Sequence, residues 1–322
     1  MPRFAFSTNA FVKCSVEEAI AQIAAAGYDG VELMLDAPHL FPRDATAQKV
    51  ESIRRAAETA GVAFSNANAF MMNAVGDTWN PSWIDPEPAV RRQRIEHTAM
   101  ALRIARDLGI PNVSTEPGGQ MRLVGKSDKS DRSDVSDGSD VSDAREAAMR
   151  LFVAGIEEVL PVAEETGVDL LVEPEPHLLI ERTTEYLDFA ARISHPRLGL
   201  NFDIGHFFCV GEDPADAFRT LWRGPASCGT GIRGTGFQPV NGTRPGWPCH
   251  VRHVHLEDIA ATREHRHLIP GTGAIDLPHV VRTMIDEGYG GWITVELYPY
   301  QDAPYEAAVA ALEYVRRELR QV

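Results

Sequence analysis

Short apolar stretches alternate with longer helical patterns eight times along the 322-residue chain, and that rhythm limits the possible folds more than any other feature. "FAFSTNAF" (4–11) precedes "VEEAIAQIAAAG" (16–27), and "GVELML" (30–35) precedes "ATAQKVESIRRAAETAG" (45–61). "VAFSNANAF" (62–70) leads to "PAVRRQRIEHTAMALRIARDLG" (88–109), which Pro88 opens and Gly109 closes, the usual asymmetry of helix ends. "NVSTEP" (112–117) is followed, after an interruption, by "AREAAMRLFVAGIEEVLPVAEETG" (144–167). The last four units are "VDLLVEPEP" (168–176) with "TTEYLDFAARI" (183–193), "LGLNFDIGHF" (198–207) with "DPADAFRTLW" (213–222), "HVRHVHLED" (250–258) with "LPHVVRTMIDEG" (277–288), and "WITVELYPY" (292–300) with "YEAAVAALEYVRRELR" (305–320). Eight β/α units in ~270 structured residues predict a single closed TIM (β/α)8 barrel. A doubly wound sheet is the runner-up, but no Gly-rich dinucleotide fingerprint follows the first strand.

Two segments break the rhythm. "KSDKSDRSDVSDGSDVSD" (126–143) repeats Ser-Asp with period three and almost nothing apolar, so it cannot offset its ordering entropy and is expected to be disordered. "RGPASCGTGIRGTGFQPVNGTRPGWPC" (223–249) is rich in Gly, Pro and Thr and has no sustained periodicity. Both read as insertions into one barrel over 1–322. The first follows strand 4, on the C-terminal face where barrel enzymes keep their active sites, whereas the second precedes strand 7 on the opposite face.

Charge and cysteine usage narrow the partners. A formal net charge of −15 repels phosphate backbones at long range, which disfavours nucleic acid. Cys14, Cys209, Cys228 and Cys249 show no C-x-x-C spacing and read as reduced thiols. The N-terminus lacks an apolar leader and no run approaches the ~18 apolar residues of a membrane span, so a cytoplasmic protein with no membrane partner is expected. A homo-oligomer is left open.

The period-2 alternation of a strand assigns each residue a face. Val168, Leu170 and Val172 point to the helices, leaving Asp169, Leu171, Glu173 and Glu175 inward. The same parity turns Gly199, Asn201 and Asp203 inward from strand 6, His253 and His255 from strand 7, and Thr294, Glu296 and Tyr298 from strand 8. Four successive strands therefore each place an acid or an imidazole inside the C-terminal mouth: Glu173, Asp203, His255 and Glu296. Three carboxylates converging in a low-dielectric interior repel one another by several kcal/mol unless a cation or shared protons intervene. One divalent metal ion resolves this; three oxygens and one imidazole favour Mn²⁺ or Mg²⁺ and admit Co²⁺ or Zn²⁺. A competing explanation for Asp203 alone is a helix N-cap, with His206 one turn above it.

"AGYDGVEL" (26–33), "LVEPEP" (171–176), "NFDIGH" (201–206), "HVHLED" (253–258), "HLIPGTGAID" (267–276) and "ITVEL" (293–297) together resemble the xylose isomerase-like TIM-barrel superfamily of sugar isomerases and epimerases, which also contains endonuclease IV. Resemblance to its ketose 3-epimerase branch implies that Glu173, Asp203, His255 and Glu296 are metal ligands, that Glu173 and Glu296 are the acid/base pair, and that His206 contacts a substrate oxygen. It implies isomerisation or epimerisation of a sugar, sugar phosphate or polyol ketone through an enediolate. A dehydratase of inosose or dehydroshikimate type is the near alternative, and a DNA-repair endonuclease or a non-catalytic ligand-binding barrel the distant ones. Strands 3 and 4 lack the histidines that endonuclease IV uses, although His265 and His267 partly resemble its late metal loop. Glu32, Glu116, Arg263 and His267 complete the candidate contacts to a small carbohydrate-like substrate. Glu32 has an alternative as a buried structural carboxylate, and Arg263 as a solvated loop charge. His253 is expected to support His255 rather than ligate a metal. Glu175 and His177 read as polar loop residues.

Overall fold

In a computed structural model that describes residues 1–76, 79–120, 138–224 and 251–319, eight parallel strands close into a barrel in sequence order. They are β1 (Arg3–Ser7), β2 (Gly30–Met34), β3 (Ala63–Asn68), β4 (Asn112–Thr115), β5 (Asp169–Val172), β6 (Leu198–Asp203), β7 (Val251–Leu256) and β8 (Trp292–Val295). Pairing of Phe4 with Ile293 and Ala5 with Thr294 closes β8 onto β1. The helices between them are α1 (Val16–Ala26), α2 (Ala47–Ala60), the one-turn α3 (Met72–Val75), α4 (Pro88–Leu108), α5 (Gly138–Thr166), α6 (Thr183–Arg192), the short α7 (Ile204–Cys209), α8 (Pro214–Arg223), α9 (Leu277–Asp286) and α10 (Pro304–Tyr314).

Local chemistry sets the helix ends. Ser15 and Glu18 form a reciprocal capping box at the start of α1, and Gly27 ends it at φ +100°, a left-handed conformation that glycine adopts without a Cβ penalty. Between strands and helices lies an apolar shell. Phe202, outward on β6 as its parity predicts, stacks on Phe207 of α7 at 4.6 Å and meets Phe218 of α8 edge-on at 5.5 Å. Truncating such a buried ring to alanine costs about 3–5 kcal/mol. The interior is polar instead: Ser65 and Thr294 hydroxyls meet at 3.0 Å across the barrel, and the Asn66 amide donates to Ser114 at 3.0 Å.

Strands end earlier than alternation alone predicts. β1 stops at Ser7, whose hydroxyl caps a 3₁₀ turn over Thr8–Ala10, and β5 stops at Val172, just before Pro174 removes a ladder donor. β6 gives way at Asp203 directly to α7. Of the Ser-Asp tract, residues 138–143 form the first turns of α5, which corrects the expectation of disorder over that part; 126–137 lie outside the described residues. Of the second insertion only Arg223 and Gly224 are described. Cys14 and Cys209 are free thiols, and Cys228 and Cys249 lie outside the described residues. No helix among the described residues is long and apolar enough to cross a membrane.

Candidate metal and substrate site

The barrel brings Glu173, Asp203, His255 and Glu296 together, each buried, with one ligand atom from each lying within 4.8 Å of the others. Glu173 and Glu296 each stand one residue beyond their strand, and their N–H groups still bond the neighbouring strand, to Thr115 O at 3.0 Å and Leu256 O at 3.2 Å. Those bonds carry the alternation past the strand ends and fix both carboxylates inward.

Each carboxylate is tethered by one oxygen, and its other oxygen faces a common point. Asn201 Nδ2 donates to Glu173 Oε2 at 2.7 Å, while Glu173 Oε1 lies 3.0 Å from His255 Nδ1. Asn9 Nδ2 donates to Glu296 Oε1 at 2.8 Å, and Asn68 Nδ2 to the same oxygen at 3.4 Å; Glu296 Oε2 lies 3.6 Å from His255 Nδ1. Asp203 Oδ1 accepts the His206 N–H at 2.7 Å, which is the N-cap of α7, and Oδ2 is left without a hydrogen-bond partner 3.7 Å from His255 Nδ1. The N-cap therefore uses Oδ1 alone and leaves Oδ2 turned into the cluster.

Behind the histidine, Glu32 Oε2 lies 2.7 Å from His255 Nε2 and accepts from Asn66 Nδ2 at 2.9 Å. Glu32 therefore lies beneath the site, against His255, and is not among the residues that line the cleft. A carboxylate on Nε2 orients an imidazole and makes Nδ1 a better donor, as behind most metal-bound histidines. His253 lies one layer deeper, its Nε2 3.4 Å from the same Glu32 oxygen.

The electrostatics follow from burial and crowding. Burial opposes a charged His255, but Glu32, Glu173 and Glu296 outweigh it and raise its pKa well above the ordinary imidazole value. Burial raises Glu296 well above the carboxylate range, reinforced by Glu173, Glu32 and Asp203 against the pull of His255. Glu173 is raised for the same first reason. Asp203 is lowered despite its burial, because His206, His255 and His267 surround it. These raised values favour extra protons on His255, Glu173 and Glu296, which a divalent ion would displace. Three oxygens and one nitrogen, preoriented and short of positive charge, fit such an ion.

A cleft of about 470 Å³ opens above this cluster, lined by Asn9, Asn68, Phe70, Trp79, Glu173, Glu175, His206, His267, Glu296 and Tyr298 among others. His206 Nδ1 donates to Pro174 O at 2.8 Å and His267 Nδ1 to Glu296 O at 2.9 Å, so each presents Nε2 as an acceptor. Burial lowers both pKa values to about 4, leaving neutral imidazoles. His265 Nε2 lies 2.9 Å from His206 Nε2, and these three rings form a second group able to hold a cation. The loop carrying them is pinned by Asp258, whose carboxylate accepts the N–H groups of Ile259, Gly271, Gly273 and Ile275 at 2.9–3.1 Å. A Cβ on Gly273 would come within 2.3 Å of Asp258 Oδ1, so this position takes no side chain.

Two candidate substrate contacts are not brought to the cleft. Glu116 is fully buried in an ion pair with Arg94 at 2.9 Å and accepts from the Thr115 hydroxyl at 3.1 Å, so its charge is spent within the scaffold. Arg263 is exposed, with its guanidinium over the Phe208 ring beside a separate small recess, which fits a loop charge better than a substrate contact. The tethering amides Asn9 and Asn68 were missed, as was Glu257. Buried Glu257 accepts the Gly205 N–H at 2.5 Å, with a ligand atom within 4.8 Å of those of Asp203 and His267. The inward parity of strand 3 would have found Asn68. Nothing in the alternation points to Asn9, which sits in the 3₁₀ turn.

Fold and site thus define a (β/α)8 barrel with a metal-type donor set at its C-terminal mouth. The chain belongs to the xylose isomerase-like TIM barrel family, whose model matches residues 20–318. Fructoselysine 3-epimerase of Escherichia coli O157:H7 is 24% identical over 312 residues, covering 94% of this chain and 92% of that protein. Inosose dehydratase of Lacticaseibacillus casei is 25% identical over 179 residues, about half of each chain. A solved D-tagatose 3-epimerase-like protein superposes with a TM-score of 0.74 at 19% identity, covering 99% of this chain and 98% of its own. A structure of IolI with a bound zinc atom superposes with a TM-score of 0.68 at 15% identity, covering 99% of this chain and 98% of its own.

Proposed function

We propose that the protein is a divalent-metal-dependent enzyme that epimerises or isomerises a sugar or polyol ketone through an enediolate. The observation that carries this reading is the tethering of three carboxylates by one oxygen each, with the other oxygens turned onto His255 Nδ1. Glu173, Asp203, His255 and Glu296 would hold the ion, of which Mn²⁺ or Mg²⁺ suits the donor set best. When bound, it supplies Lewis acidity to a substrate carbonyl.

The remaining chemistry belongs to the chain. Glu173 and Glu296 come from β5 and β8 and bound the same cleft, so a substrate held between them meets a carboxylate on each side. One removes the proton next to the carbonyl, and the other returns a proton from the opposite face, inverting the centre. Asn201, Asn9 and Asn68 keep one oxygen of each glutamate engaged and aim the other. His267 offers a neutral, unpartnered Nε2 acceptor to a substrate hydroxyl, while the His206 Nε2 is met by His265 at 2.9 Å and would have to exchange that partner to contact one. The relatives named fructoselysine 3-epimerase and the 3-epimerase-like structures favour epimerisation. Those named inosose dehydratase favour a second reading, loss of a β-hydroxyl from the same enediolate.

The test is incubation in D₂O with Mn²⁺ and a panel of ketoses, inososes and keto acids, followed by NMR. Deuterium next to the carbonyl together with a new epimer supports the proposal. An unsaturated product without an epimer supports the dehydratase, and no exchange with any substrate removes both.

A further inference from the structure

Glu175 stands two residues beyond Glu173, so their Cα atoms are at most about 7 Å apart. It is only 4% exposed and lines the cleft. Pro174 and Pro176 restrict the backbone on either side of it, and its N–H donates to Ile180 O at 3.0 Å. Its Oε1 accepts from the Trp79 indole N–H at 3.3 Å, whereas its Oε2 has no hydrogen-bond partner. A buried carboxyl oxygen held in place and left unpaired is costly, and a polar group that enters with the ligand removes the cost. Burial first, and Glu173 after it, push the pKa of this carboxyl up to about 8, so near neutral pH it offers hydrogen bonds rather than a standing charge. A hydroxyl suits it in either form, donating to a carboxylate and accepting from a carboxyl.

We infer that Glu175, held by Trp79, pairs through Oε2 with a hydroxyl that the substrate carries beyond its reacting carbon, and so selects ketones that have that hydroxyl over deoxy counterparts that lack it. This rests on the proposed action on a sugar-like ketone and names what the site requires of the rest of the molecule. The reacting carbon lies between Glu173 and Glu296, and Glu175 is close enough to the first for one ketose to reach all three. A methylene in the same place would leave Oε2 buried and unpaired with the ligand bound, so the discrimination comes from the cost of the unmet group.

The test is calorimetric binding to the Mn²⁺-loaded protein of D-fructose, D-tagatose and D-psicose and of their 4-, 5- and 6-deoxy derivatives. One deoxy position should weaken binding at least about tenfold relative to its parent. Glu175→Leu should weaken the parent to the level of that deoxy compound, and should leave binding of the deoxy compound and the metal content unchanged. Should that variant fold poorly, Trp79→Phe removes the indole N–H that holds Oε1 and should narrow the same difference. Equal binding of the parents and every deoxy derivative by the wild-type protein overturns the inference, as does a difference that survives either substitution undiminished. Solvent deuterium exchange on the parent ketoses is read in the same samples. Exchange without a Glu175-dependent difference overturns this inference alone, whereas neither binding nor exchange of any ketose overturns it together with the catalytic reading.

Discussion

Asp203 caps α7 with one oxygen and, in the proposed site, turns the other to the metal; a pair of substitutions separates the two roles. Asparagine keeps an oxygen that accepts the His206 N–H, now at 2.7 Å, so the N-cap of α7 survives. It removes the negative charge at Oδ2, which has no other hydrogen-bond partner in the cluster. Alanine removes both. For the metal-free protein, Asp203→Ala should therefore be less stable than Asp203→Asn by about 1 kcal/mol, the usual cost of a lost cap. Both variants lose the same interactions with His206, His255 and His267, so their difference isolates the cap. Metal binding should behave differently: both should weaken Mn²⁺ binding by at least about 100-fold, or ~2.7 kcal/mol, because a neutral group replaces one of three anionic donors. Denaturant unfolding in chelator gives the first quantity and calorimetric Mn²⁺ titration the second. Equal stability of the two variants would refute the cap. Wild-type Mn²⁺ affinity in Asp203→Asn would refute the ligand.

Three further outcomes follow from the same geometry. Glu32→Gln should weaken Mn²⁺ affinity by about 10–100-fold without touching the cleft, because it removes the charge behind His255 Nε2; titration calorimetry reads it. Glu116→Ala should cost about 3–5 kcal/mol in denaturant unfolding by stranding the buried Arg94, and should leave metal affinity unchanged. Raised pKa values of His255, Glu173 and Glu296 mean that the metal-free cluster holds extra protons: what they contribute to stability is present at low pH and is lost as pH rises through those values. Protons compete with the ion below them, so the increase in melting temperature that Mn²⁺ produces should grow from pH 6 to pH 8; an increase that shrinks over that interval would contradict the assignment.

The barrel and the four converging side chains were legible because both follow from periodicity. Alternation within β6 and β7 puts Asp203 and His255 inward, and ladder bonds extend the same parity to Glu173 and Glu296. Parity does not reach residues beyond the ladder. Asn9 turns onto Glu296 only because Ser7 caps a 3₁₀ turn where continued strand was expected, and Trp79 reaches Glu175 from the long β3–α4 connection. Glu116 was misjudged for a different reason. Its inward parity is right, but its partner Arg94 belongs to α4, and no local pattern shows which charge a helix delivers to a strand end. The long β7–α9 connection that carries His265 and His267 is ordered by Asp258 through four backbone N–H groups, a long-range arrangement for which the sequence shows only the glycines.

The central claim is that two glutamates on opposite sides of one metal-type site move a proton across a substrate face. It is tested most directly by following solvent deuterium and product configuration in Glu173→Gln and Glu296→Gln, with Mn²⁺ occupancy measured in the same samples. Each variant at full occupancy is predicted to stop forming epimer while the remaining glutamate still exchanges the proton on its own face. Epimer formed at the wild-type rate by either metal-loaded variant would contradict the account.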